Sequence, residues 1–153
     1  MNVWQQLVGQ PDAIATFEAA ARAAHAVRTD GDSPGSLGAM THAWLITGPP
    51  GSGRSNLAYA FAAALLCQRG GCGECADCRN VVARTHPDLS YLATERVIIS
   101  IDEVREFVLS SQYSPSTADY RVVVIEDADR MAERTSNVLL KALEEPPART
   151  VWI

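Results

Sequence analysis

The chain has 153 residues, 47% of them apolar and 20% charged, with a net charge of -5. That is long enough and apolar enough for one folded domain with a real core, and it excludes an intrinsically disordered chain. The acidic balance and the lack of any lysine- or arginine-rich run exclude a free-standing nucleic-acid binder held by electrostatics alone, so any DNA contact has to come through an assembly or a local patch.

The N-terminal residues MNVWQQLVGQPDA have neither the basic start nor the apolar core of a signal peptide. The longest strongly apolar run, Leu57 to Cys67, falls well short of the ~20 residues of a membrane span. The expected location is the cytoplasm, with no membrane partner.

Alanine-rich sequence from Asp12 to Val27 repeats Ile14, Phe17, Ala21 and Ala24 at helical spacing, which predicts an amphipathic helix opened by Pro11. Glycine, serine and proline between Arg28 and Met40 read as a surface loop. AWLIT, Ala43 to Thr47, is a short apolar run stopped by glycine and proline and is expected to be a buried parallel strand. A helix follows from about Gly53 to Leu66.

Between that strand and that helix lies GPPGSGRS, residues Gly48, Pro49, Pro50, Gly51, Ser52, Gly53, Arg54 and Ser55. It matches the phosphate-binding pattern G-x-x-x-x-G-K-[ST] everywhere except at the lysine. Glycines there let successive N–H groups turn toward phosphate oxygens, the helix N-terminus adds partial positive charge, and Ser55 is the expected Mg²⁺ ligand. A glycine-rich turn with no such role is the plainer alternative. Arg54 keeps the charge of lysine but replaces a compact ammonium with a broad planar fork.

Cys67, Cys72, Cys75 and Cys78 follow as C-x4-C-x2-C-x2-C. Four thiolates at this density can surround one structural Zn²⁺, with no open position for catalysis. The alternative, a disulfide pair, is disfavoured in a reducing compartment. The module, about residues 67 to 78, is expected to be a small excursion from the main domain. His86 is a weaker candidate ligand, since HPD reads better as a turn into the next strand, Asp88 to Ala93.

Ser100 and Glu103 form an S-x-x-E box that opens a helix through about Ser110. RVVVIED, Arg121 to Asp127, is the clearest strand, with β-branched residues running into carboxylates. An NTPase wants an aspartate for Mg²⁺ followed by a glutamate for the attacking water. Glu126 and Asp127 stand in the reverse order, so they read either as a degenerate catalytic pair with residual Mg²⁺ binding or as a capping or solvated turn pair. A helix from about Glu133 to Glu144 stops at Pro146 and Pro147, and TVWI begins another strand. Leu139, Leu140 and Leu143 are expected to be core residues of that helix.

Alternating strands and helices predict an α/β fold with a parallel sheet covered on both faces. Because TVWI stops inside a strand, the chain is expected to be a fragment of a longer protein.

The phosphate loop, the four cysteines, HPDL, SIDEVREF, VVVIEDADRM and above all NVLLKALEEPP together resemble the N-terminal ATPase-type domain of bacterial DNA polymerase III clamp-loader subunits. The resemblance runs from Trp4 onward. Arg54 and the EDAD run from Glu126 to Asp129 are similar to the delta-prime branch, whose nucleotide site is commonly degraded, rather than to the tau/gamma motor. It implies an AAA+ module spanning 1–153, with the lid, the collar and a serine-arginine-cysteine motif lying beyond Ile153. The first cysteine gap is shorter than usual in that family.

The resemblance further implies a stator that works beside tau/gamma and delta subunits in loading a sliding clamp onto primed DNA, using protein interfaces that include the ALEEPP helix end. Its own ATPase activity is expected to be weak or absent, with ATP and Mg²⁺ retention left open. An active ATP-hydrolysing motor of the same family is the alternative, and a small P-loop kinase a third, disfavoured by the cysteines and by LLKALEEPP.

Overall fold

The computed structural model describes residues 1–30 and 40–153. Three short strands, β1 (Leu89–Leu92), β2 (Arg121–Ile125) and β3 (Thr150–Trp152), form a parallel sheet in the order β1-β2-β3. Leu89 pairs with Val122 on one side of β2, and Val122 with Val151 on the other. Among the described residues five α-helices flank it: α1 (Pro11–Asp30), α2 (Arg54–Leu66), α3 (Ala76–Val82), α4 (Ile101–Ser111) and α5 (Glu133–Glu144). The α/β architecture with helices flanking a parallel sheet is the one expected.

Side chains alternate across a strand, so β2 serves two cores at once. Val122 and Val124 point into a cluster with α1 and α2, whereas Val123 joins Trp152 against Val104 and Phe107 of α4 and Leu139 and Ala142 of α5. The near-continuous valines of β2 follow from burial on both faces. Helix α2 has buried residues on every side for the same reason, being enclosed in the first core, whereas α5 buries only one stripe.

Close approach of α1 to α2 depends on small residues: Ala20, Ala21 and Ala24 are almost fully buried. Phe17 of α1, Phe61 of α2 and Trp44 form an aromatic cluster with ring centroids 4.8 to 5.5 Å apart, which ties the segment before the phosphate loop to both helices. The Ser100 and Glu103 capping box is present in both directions.

Several expectations change. Helix α1 continues to Asp30, so Arg28 to Asp30 are helical rather than loop; the rest of the expected loop, 31–39, lies outside the described residues. Ala43 to Thr47 is no full strand. Only Ala43 bridges Trp152, through Trp44 N–H to the Trp152 carbonyl at 2.9 Å and Trp152 N–H to the His42 carbonyl at 2.7 Å. Leu45 is 81% exposed, so the run is not buried along its length. Strand β2 ends at Ile125, leaving Glu126 and Asp127 in the turn. Leu139 is buried and Leu143 packs at the edge of the second core, but Leu140 is 51% exposed, because it falls on the outer face of α5.

Candidate functional site

Residues 48–55 turn directly into α2. Gly51 (φ 80) and Gly53 (φ 88) take left-handed backbone conformations that other residues rarely adopt, and the Ser52 N–H closes a turn on the Pro49 carbonyl at 3.2 Å. A Cβ on Gly48 would stand 2.8 Å from the Ser52 hydroxyl. Gly53 is the N-cap of α2 and has no side chain to cap it, so the first-turn N–H groups face outward where an anion would meet them.

Two cavities meet at this loop. One, of about 500 Å³, lies between the loop and the segment Gln6 to Gln10. The other, of about 580 Å³, lies between the loop and the end of β2 at Glu126 and Asp127. Gly48 and Arg54 line both.

Glu126 and Asp127 are each paired with arginines. Arg54 Nη2 lies 3.6 Å from Asp127 Oδ1, and Arg130 Nη2 lies 3.6 Å from Asp127 Oδ2. Asp127 sits in the left-handed region (φ 52), which turns its carboxylate out of the strand direction. Glu126 accepts from Arg84 Nη1 at 3.4 Å and from the Tyr59 hydroxyl at 3.1 Å. The Arg84 guanidinium stacks over the Tyr59 ring at 3.7 Å. Burial, and then the Glu126 carboxylate, push the Tyr59 phenol up, so it remains a donor. Arg84 and Tyr59 belong to none of the motifs read from the sequence, and Arg130, though inside VVVIEDADRM, had no role assigned there; only proximity reveals all three.

The ligand atoms of Cys67, Cys72, Cys75 and Cys78 all lie within 4.8 Å of one another, positioned to hold a metal ion. None of the four is in a disulfide. Backbone N–H groups point at the sulfurs, from Arg69 to Cys67 at 3.3 Å, from Cys75 to Cys72 at 3.4 Å and from Cys78 to Cys75 at 3.4 Å. The backbone N–H of Glu74, with that of Cys75, holds the Cys72 thiol down at about 6, while burial pushes Cys78 up.

The module is not an excursion. Cys67 caps α2 and Cys78 lies in α3, both 1% exposed within the main core. Gly71 (φ 93) is wedged so closely between Val3 and Ala64 that a Cβ would collide with Val3, and its carbonyl accepts from the Val3 N–H at 2.9 Å. His86 stays out of the cluster. It is buried, with Nε2 3.2 Å from Asp77 and Nδ1 accepting from the Asp88 N–H at 3.0 Å.

A family model described as "DNA polymerase III, delta subunit" matches residues 35–153. Over 118 residues the chain is 42% identical to "DNA polymerase III subunit delta'" of Pseudomonas aeruginosa, covering 73% of this chain and 36% of the relative. The chain belongs to the DNA polymerase III delta-prime family. The Escherichia coli delta' subunit is 39% identical over 71% of this chain and 34% of its own length. A tau subunit, from Salmonella typhimurium, is 32% identical over 77% of this chain and 19% of the relative. This delta-prime family chain therefore spans about a third of the length of the delta' relatives it matches. Among the described residues no helix is long and apolar enough to cross a membrane.

Proposed function

We propose that this chain is the nucleotide-site module, residues 1–153, of a clamp-loader stator in the replicative DNA polymerase III. It keeps the shape of a phosphate loop while its hydrolytic chemistry is blunted. The partners are tau/gamma and delta subunits and, through the assembly, the sliding clamp and primed DNA, all in the cytoplasm. Support comes from delta' relatives and, most of all, from the fact that both carboxylates at the end of β2 are engaged by arginines.

The loop fits a phosphate: its glycines leave room for oxygens, and the N-terminus of α2 faces the space. The Mg²⁺ side fits poorly. Ser55 stands at the start of α2, but a cation bound to Glu126 or Asp127 would have to displace Arg84 or Arg54. Arg54 and Ser55 hold the loop's charge and hydroxyl, and the neighbouring Gln6 to Gln10 segment offers walls for a base.

The four cysteines are assigned to one structural zinc. A tetrahedral Zn–S₄ centre with bonds of about 2.3 Å needs sulfurs about 3.8 Å apart. The separations are 3.8 Å for Cys67 to Cys72 and 3.6 Å for Cys67 to Cys75. Zinc bound there supplies a cross-link and no chemistry.

Phosphate release from labelled ATP by the purified full-length protein with Mg²⁺ tests the stator assignment. The expected rate is at background and unchanged by Ser55→Ala. Turnover on the order of 1 s⁻¹, abolished by Ser55→Ala, would mean a motor of the tau/gamma kind instead.

A further inference from the structure

We propose that Asp127 is an internal competitor for phosphate, a positioning residue that holds the Arg54 guanidinium at the end of β2 and thereby sets how weakly the loop binds a nucleotide's phosphates. The inference rests on the assignment of residues 48–55 as a phosphate cradle. Arg54 is the only arginine or lysine within that loop, and it lines both cavities that open on it. Its guanidinium is already matched to a carboxylate, 3.6 Å away. Arg130 fixes the other oxygen of the same carboxylate from the turn beyond β2. A planar fork suits one anion at a time, so a di- or triphosphate has to take Arg54 from Asp127 before it gains that contact.

Glu126 does not share this role, because its charge is answered by Arg84 and by the Tyr59 hydroxyl, with the Arg84 guanidinium stacked on the Tyr59 ring. The two pairs thus divide the site. One keeps the loop's cation occupied and the other answers the charge of Glu126, while the Asp129 carboxylate lines the same cavity. The ligand class that gains from release of Arg54 is a di- or triphosphate, whose oxygens the freed guanidinium can meet.

Arg54 is about a third exposed and Asp127 somewhat more, so the competition is modest. A pair of this kind is worth up to about 1 kcal/mol, which corresponds to about a fivefold change in affinity. Asp127→Asn is the informative variant, since asparagine tolerates the left-handed backbone found there.

Calorimetric titration of the full-length protein with pyrophosphate and with ATP, without added divalent cation, should show Asp127→Asn binding about fivefold more tightly than wild type. In an Arg54→Ala background the same substitution should gain nothing. Equal gains in both backgrounds would mean that Asp127 merely repels phosphate, and the proposal falls. It falls too if Asp127→Asn binds no better than wild type, including the case in which neither binds, with thermal unfolding confirming that the variant is folded. That last outcome leaves the stator assignment standing, whereas rapid hydrolysis by wild type overturns the stator and not the competition.

Discussion

Asp88 shows how one buried carboxylate can anchor a loop. Its side chain is inaccessible to solvent and accepts from the backbone N–H groups of Ser116, Thr117 and Ala118 at 2.6 to 2.8 Å, with the Ser116 and Thr117 hydroxyls at 2.9 and 3.0 Å. Burial alone would raise its pKa, but these donors outweigh burial and hold it at about 2. The folded value lies below the ordinary carboxylate value, so the stability it contributes is complete above about pH 4 and is lost as pH falls toward 2. About 2 kcal/mol is at stake. Denaturant unfolding of wild type and Asp88→Asn between pH 7 and pH 2 should show a gap of that order at neutral pH that closes on acidification. A constant gap would mean that Asp88 acts by packing alone. The sequence marked HPD only as a turn; that Asp88 captures a segment 28 to 30 residues away follows from the fold.

At the scale of elements, α5 separates what periodicity reveals from what it does not. The span Glu133–Glu144 matches the pattern, because its apolar residues recur at helical spacing and prolines follow its end. Adjacent leucines, however, lie about 100° apart around a helix, and only the neighbours decide which one is covered. Leu139 packs with Val104, Phe107 and Val123, whereas Leu140 is half exposed. Leu139→Ala should lower unfolding stability by about 2 to 4 kcal/mol and Leu140→Ala by less than about 1 kcal/mol, read from chemical denaturation. If both variants lost the same stability, the face of α5 would be wrongly assigned. Helix α3 escaped sequence reading because seven residues give no reliable period, and because the sulfur of Cys75 serves as its cap, a role the metal-site reading of that cysteine does not bring to mind.

At the scale of the molecule, the cysteine module joins the N-terminal segment to the end of α2. Val3 and Trp4 belong to the same core as Cys67 and Cys78, and the Val3 N–H bonds to Gly71. Loss of a bound metal should therefore loosen residues 1–10 as well as 67–78. Elemental analysis should give about one zinc per chain. Chelation should lower the thermal midpoint by several degrees and speed amide exchange in both segments, as should Cys78→Ser. Unchanged exchange in the N-terminal segment would show that the two are not coupled.

The sequence by itself determined the features carried by short contiguous runs: the turn geometry of residues 48–55, four thiols in a dozen positions, the capping box at Ser100 and the extended valines of β2. Local sterics and spacing are enough for these, and they also sufficed to point to the right family. Tertiary structure alone decided which charges meet. Arg54 turned to Asp127, Glu126 drew Arg84 and Tyr59 from 42 and 67 residues away, and the cysteine module merged with the main core. An ion pair depends on distance in space, and that distance is set by the order in which the strands pack, which no run of neighbouring residues encodes.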